Sequence, residues 1–274
     1  MELHLQHIQS TTKAILSFCF VILFFVFSSC EKDISVKLPD VEEKLMVEGF
    51  IENDMPATVF LTKNTPYFAT FTNVGVEDYA VSNAIITIND GIVTDTLFEF
   101  LPFAPGFYVS HILGEIGKTY QLSVSSGGKN VTATTTIQQP VPIINIRFQK
   151  NSTTNKGTVW TKILDPTTKQ YYRMLHKETE FALYDSPPTS VYKDDSFNGQ
   201  EFEFGDFFED LGDSSYIKIC VIDKAAHDFI NNFEIDARNR GNPFANPITI
   251  KGNINGGLGI WCGYGASYAS IKNE

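Results

Sequence analysis

Thr119–Ile137 reads TYQLSVSSGGKNVTATTTI. Tyr120, Leu122 and Val124 alternate with Gln121 and Ser123. In an extended chain this puts the first three on one side of a sheet and the other two on the opposite side. A second β-rich run, Val131–Ile137, follows Ser125-Ser126-Gly127-Gly128-Lys129-Asn130, a polar connection carrying two glycines. Toward the N-terminus the same signature recurs at Leu45–Ile51, Thr58–Thr62, Ala84–Ile88, Val93–Phe100 and Gly106–Ser110. Asn89-Asp90-Gly91 divides the third and fourth of these five, and Asp-Gly between β-rich runs is a hairpin signal because glycine accepts the positive φ of a tight turn. Short strands at this spacing predict an immunoglobulin-like β-sandwich over residues 45–140.

Gln139-Pro140-Val141-Pro142 marks the expected boundary, since two prolines within three residues interrupt ladder donation. Beyond it, Ile143–Phe148, Val159–Leu164, Tyr171–Leu175, Phe181–Tyr184, Glu201–Phe204, Ser215–Ile222 and the glycine-rich Gly257–Tyr268 read as strands. One amphipathic helix is predicted near 223–238. Asp223 is its N-cap, Ala226, Phe229, Ile230, Phe233 and Ala237 recur at helical spacing, and Gly241 is its stop. The expected fold class is therefore mainly β, a sandwich followed by a second β-rich domain, 141–274, with one helix.

Composition supports a packed chain. Of 274 residues, 43% are hydrophobic and 19% charged, which excludes a disordered polymer. The net charge of −11 argues against nucleic acid as a partner and against electrostatic binding to anionic lipid.

The first residues set the compartment. Ala14–Phe27, AILSFCFVILFFVF, is an apolar run shorter than a comfortable span but suited to a signal-peptide core, with Lys13 as its positive flank. Phe27-Ser28-Ser29-Cys30 resembles a bacterial lipobox, so residues 1–29 are expected to be removed and Cys30 acylated. Residues 30–44, acidic and without apolar period, read as a tether. Of the remaining thiols, Cys220 and Cys262 either pair or stand as two buried free thiols, and spacing leaves both open.

The Cys30-Glu31-Lys32-Asp33 start, Lys44–Phe50 (KLMVEGF), Leu61–Phe68 (LTKNTPYF), Gly117–Val124 (GKTYQLSV), Thr132–Ile143 (TATTTIQQPVPI) and Asn253–Tyr264 (NINGGLGIWCGY) together resemble the family known as domain of unknown function 4249. The resemblance covers essentially the whole mature chain. It implies a lipid-anchored β protein of the Bacteroidota outer membrane, working beside a TonB-dependent β-barrel transporter. It brings no catalytic residues with it.

The residues themselves carry little chemistry. Asp194, Ser196, Asn198 and Gly199 imitate a calcium loop, which fails at its twelfth position, Gly205. His111, His176 and His227 lack zinc spacing, and His227 is expected on the solvent face of the helix. No hydrolase, P-loop or dinucleotide fingerprint occurs. The acidic stretch Glu201–Asp213 invites a glycosidase reading, which needs two carboxylates facing across a cleft. Tyr67, Phe68 and Phe71, in a long connection, either plug the end of the sandwich or form a recognition loop. The expectation is a non-enzymatic protein without cofactor or metal. It would be an accessory subunit at the outer membrane, or alternatively a glycan- or peptide-binding module using that loop or Trp160 and Trp261.

Overall fold

The computed structural model describes residues 42–64, 78–151, 153–154, 156–208, 212–242, 244–246 and 248–273. The signal segment, Cys30, most of the tether and Tyr67, Phe68 and Phe71 lie outside them. In chain order the strands are Leu45–Glu52 (β1), Pro56–Lys63 (β2), Ile85–Asn89 (β3), Thr94–Thr96 (β4), Phe98–Glu99 (β5), Phe107–Leu113 (β6), Thr119–Ser126 (β7) and Lys129–Thr136 (β8). Then follow Ile143–Lys150 (β9), Gly157–Leu164 (β10), Tyr171–Lys177 (β11), Val191–Lys193 (β12), Glu201–Phe208 (β13), Ser214–Ile222 (β14), the helix Lys224–Asn239 (α1) and Leu258–Lys272 (β15). The protein is mainly β. No helix among the described residues is long and apolar enough to cross a membrane.

The first eight strands divide into β1-β2-β6-β5 in one layer and β4-β3-β7-β8 in the other. That division is the Greek key of an immunoglobulin-like sandwich. The seventh strand also carries the corner of that fold: the Tyr120 hydroxyl accepts a hydrogen bond from the Glu115 backbone N–H, 2.9 Å away and a few residues upstream. Tyr120, Leu122 and Val124 are buried and Gln121 and Ser123 exposed, as the alternation requires. The Asn89-Asp90-Gly91 turn forms with Gly91 at φ 93°. Asp90 Oδ1 accepts from the N–H groups of Ile92 and Val93, and with Lys118 nearby its carboxyl is held down at about 2.

The second half repeats the plan. Strands β9, β10 and β13 form one layer, and β12, β11, β14 and β15 the other. The helix is inserted before the last strand and lies over the outer face of that second layer, where a third cluster of buried residues including Cys220, Ile230 and Cys262 packs.

The two sandwiches share a sheet. Residues 258–264 of β15 run parallel to β1, and residues 265–272 run antiparallel to β14. An eight-stranded sheet, β12-β11-β14-β15-β1-β2-β6-β5, therefore crosses the expected boundary at Pro140. The glycines of β15 allow the crossing. A Cβ on Gly263 would sit 2.5 Å from the Thr136 carbonyl, and one on Gly265 2.2 Å from that of Gln138.

Several expectations need correction. Val93–Phe100 is not one strand: Leu97 turns into the first core, so β4 pairs with β3 in one layer and β5 with β6 in the other. Phe181–Tyr184 forms turns, with Phe181 and Leu183 almost fully exposed. The helix begins at its expected cap, Asp223, whose side chain accepts from Ala226 N at 2.7 Å. Its buried face runs through Ala226, His227 and Ile230, with the Glu234 carboxylate accepting from Ser190 N, while Phe233 and Ala237 face out. His227 is thus buried against Tyr171 (ring centroids 5.0 Å apart) and not on the solvent face.

Candidate functional site

The layer change at Leu97 delivers the chain to the edge of the eight-stranded sheet, where β5 pairs with β6 for only two residues. From there FEFLPFAPGF, residues 98–107, forms an aromatic turn. Backbone bonds close it: Phe100 N donates to Phe107 O (2.8 Å), Ala104 N to Phe100 O (3.0 Å) and Phe107 N to Ala104 O (3.1 Å). The Glu99 carboxylate staples the base, accepting from Asn83 N and Gly106 N at 2.8 Å each. Burial would raise this carboxyl's pKa, but the backbone donors Asn83 and Gly106, together with the Ser82 and Tyr108 hydroxyls, outweigh it and leave it below the ordinary value.

Phe98, Phe100 and Leu101 stand on this turn a little under half exposed, and Phe103 is 83% exposed. Phe100 and Phe103 are paired at 6.2 Å between ring centroids, and Phe98 lies 5.1 Å from the His111 ring. His111 is itself fixed by Asp95, which accepts from both its backbone N (2.7 Å) and its Nδ1 (3.0 Å). The result is a contiguous apolar surface on a hydrogen-bonded frame. An exposed apolar cluster of this kind is one of the features by which interaction surfaces are sought.

The family model described as "Domain of unknown function (DUF4249)" matches residues 31–268. The chain belongs to the DUF4249 family. No curated protein matches this chain. Among solved structures it is similar to the crystal structure of domains A168–A170 from titin, at 8% identity. That alignment covers 66% of this chain and 60% of the titin fragment, with a TM-score of 0.21. At that score the likeness carries no weight, and the immunoglobulin-like assignment of the DUF4249 chain rests on its strand order and tyrosine corner.

The other residues singled out in the DUF4249 sequence fall as follows. Cys220 and Cys262 are free and buried, so no disulfide joins them; burial pushes the Cys220 thiol up to about 12 and raises that of Cys262. Asp194 is fully buried, accepting from Gln170 N at 2.6 Å and meeting Lys169 Nζ at 3.0 Å, so a built-in cation faces it. Among the described residues no group of three or more His, Cys, Asp or Glu is placed to hold a metal.

Among its described residues the acidic stretch does not present two carboxylates to one another. Glu203 pairs with Arg147 at 3.1 Å and Glu201 with Lys162 at 2.9 Å on the outer face of β13. Asp206 points inward to a bond with His176 Nδ1. Trp261 is a core residue, fully buried, its Nε1 donating to Tyr120 O at 3.1 Å, and it recognises nothing outside. Trp160 is only partly buried, on the open side of β10.

Sequence reasoning missed the aromatic turn because Phe98 and Phe100 alternate like strand residues. The available signal was Leu101-Pro102 and Ala104-Pro105-Gly106, two breakers that place Phe103 between turn formers. It also missed the buried ion pair of Glu52 and Lys218, 2.9 Å apart, whose partners are 166 residues apart in the chain.

Proposed function

We propose that this protein is a lipid-anchored outer-membrane protein, acylated at Cys30. In this reading it is a non-enzymatic accessory subunit that docks on the β-barrel of a TonB-dependent transport system. The observation that carries the reading is the aromatic turn. Phe98, Phe100, Leu101 and Phe103 are held out by backbone bonds and by Glu99, although a monomer would gain by burying them. The lipobox-like Phe27-Ser28-Ser29-Cys30 supports the anchor, and two acyl chains suffice for stable attachment. Anchoring on the same membrane as the barrel raises the effective concentration of a weak contact, so a surface of a few side chains is enough.

The test is affinity purification of the tagged full chain from gently solubilised membranes, with mass spectrometry of what accompanies it. A stoichiometric β-barrel receptor is expected with the native chain and is lost from a Phe100→Ser/Phe103→Ser variant. Both positions are exposed, so the variant keeps its stability within about 0.5 kcal/mol. A native chain that comes down alone, or a receptor that stays with the variant, overturns the proposal. Palmitate label that persists in Cys30→Ala removes the anchor.

A further inference from the structure

The two ends of the first sandwich differ in what reaches them. At one end β1 begins at Leu45, opposite Lys63, the last residue of β2. Glu43 fixes the incoming chain there, meeting Lys129 Nζ beside the β7–β8 turn at 2.8 Å and Lys63 Nζ at 3.5 Å. Asn64 N donates to Lys44 O at 3.1 Å and ties the same end. The opposite end carries the β1–β2 and β3–β4 turns and continues into the second sandwich, where Ala266 N donates to Asn53 Oδ1 at 2.7 Å.

The ladder places the tip of the aromatic turn at the first of these ends. Phe107 of β6 lies opposite Phe60 of β2, and Phe60 opposite Glu48 of β1. Leu61 N donates to Gly106 O at 2.8 Å, so the residues between Phe100 and Gly106 project past that level, toward the start of β1. In the sheet order β1-β2-β6-β5 the turn stands to one side of β1 by about 14 Å at ordinary strand spacing.

The turn is built to leave water. Phe100–Gly106, FLPFAPG, carries no charge. The N–H groups of Phe100, Ala104, Gly106 and Phe107 are bonded within the turn or to Glu99, and Pro102 and Pro105 have none to desolvate. The opposite end also exposes Ile92, Val93 and Leu113, but Asp54, Asp90, Glu115 and Lys118 line the same surface, and their charge keeps it in water. The net charge of −11 gives no attraction to anionic lipid, so any contact with a bilayer here is apolar.

We infer that the tip of this turn, Phe100, Leu101 and Phe103, dips into the interface of the membrane that holds the anchor and rests there while no barrel is bound. The inference rests on the acylated Cys30 of the reading above and adds the surface that covers the turn before docking. The chain from Cys30 to Glu42 spans at most about 40 Å, which lets the turn reach the bilayer and holds it there at high effective concentration.

The test uses the acylated full chain in phosphatidylcholine vesicles without any barrel, their acyl chains brominated near the headgroup. Phe103→Trp and Ile92→Trp report the two ends, Phe103 being 83% and Ile92 85% exposed. Fluorescence is read above that of the native chain, which carries Trp160 and Trp261. Phe103→Trp is expected to shift to the blue and to be quenched by the brominated lipid, at low and high salt alike. Ile92→Trp is expected to do neither. If Phe103→Trp does not fold, Leu101→Trp takes its place with the same reading. Absence of quenching in chains that float with the vesicles overturns the inference and leaves barrel docking standing. Equal quenching at both ends overturns it too. Chains that do not float overturn the anchor and this inference with it. A native chain purified from membranes without a receptor removes the docking reading alone, and quenching of Phe103→Trp is then still expected.

Discussion

The two sandwiches follow one strand plan and solve their interiors differently. Apart from Ser110, Thr135 and the seam residue Glu52, the first half packs its core from apolar side chains and two buried tyrosines, Tyr108 and Tyr120, whose hydroxyls meet backbone groups. The second half buries Asp165, Asp194, Asp206, Lys218 and His227. Each has a partner: Asp165 accepts from Tyr172 and from Gly199 N, and Asp206 from His176. Lys218 meets Glu52, and its ammonium lies 4.6 Å from the Tyr184 ring. One backbone plan tolerates both because Greek-key connections fix which strands meet, while buried charge requires only that every group be matched. The first half gains its order from shape, the second from polar pairing, and the two should respond differently to substitution and to pH.

The contrast is broken most forcefully at the seam. Glu52 on β1 and Lys218 on β14 flank β15 and join the halves, with side chains only 3% and 8% exposed. Lys218→Met strands a buried carboxylate and should cost about 3–5 kcal/mol in denaturant unfolding, whereas Glu52→Leu/Lys218→Met should recover most of that loss. Because β15 belongs to both sandwiches, Lys218→Met should move one common transition; two separate transitions would show that the halves unfold independently.

A smaller change probes the first half alone. Tyr120→Phe removes the acceptor of the Glu115 N–H and should cost about 1 kcal/mol by the same measurement, with no change in pH dependence.

The smallest effect is the pH response of the second half. Burial pulls the His176 imidazole down, but the Asp206 hydrogen bond and the charges of Asp206, Asp185 and Glu178 outweigh it, so its folded value lies above the ordinary one. A folded state that holds its proton longer than the unfolded chain is favoured below about pH 6.5 and loses that advantage as pH rises past the folded value. Melting temperature should therefore decline from about pH 6 to pH 8, and His176→Gln should flatten that decline. An unchanged slope in the variant would place the titration elsewhere.

Local signals made the first sandwich readable. Alternation in Thr119–Ser126 and the Asp90-Gly91 turn act over a few residues, and both appear where the sequence places them. The helix start at Asp223 is legible for the same reason. What escaped is set by distant partners. The choice of His227 over Phe233 for the buried helix face depends on Tyr171 and Ser190, which are far away in the chain. The division of β15 between β1 and β14 has no local mark beyond its glycines. The aromatic turn escaped because exposure, unlike alternation, is decided by what stands opposite, and nothing among the described residues covers Phe103.

That divided strand also fixes a timetable. Asn53 Oδ1 accepts from Ala266 N, 213 residues later, and Trp261 completes the core around Tyr120. The amino-terminal sandwich therefore cannot be finished until residues 258–264 have been made, long after β1 itself. Until then β1 keeps a bare edge of unpaired N–H and C=O groups, the kind of edge that recruits other chains. A nascent molecule of this design needs shelter along its whole length, and a product cut short before Leu258 would be left permanently with that edge open.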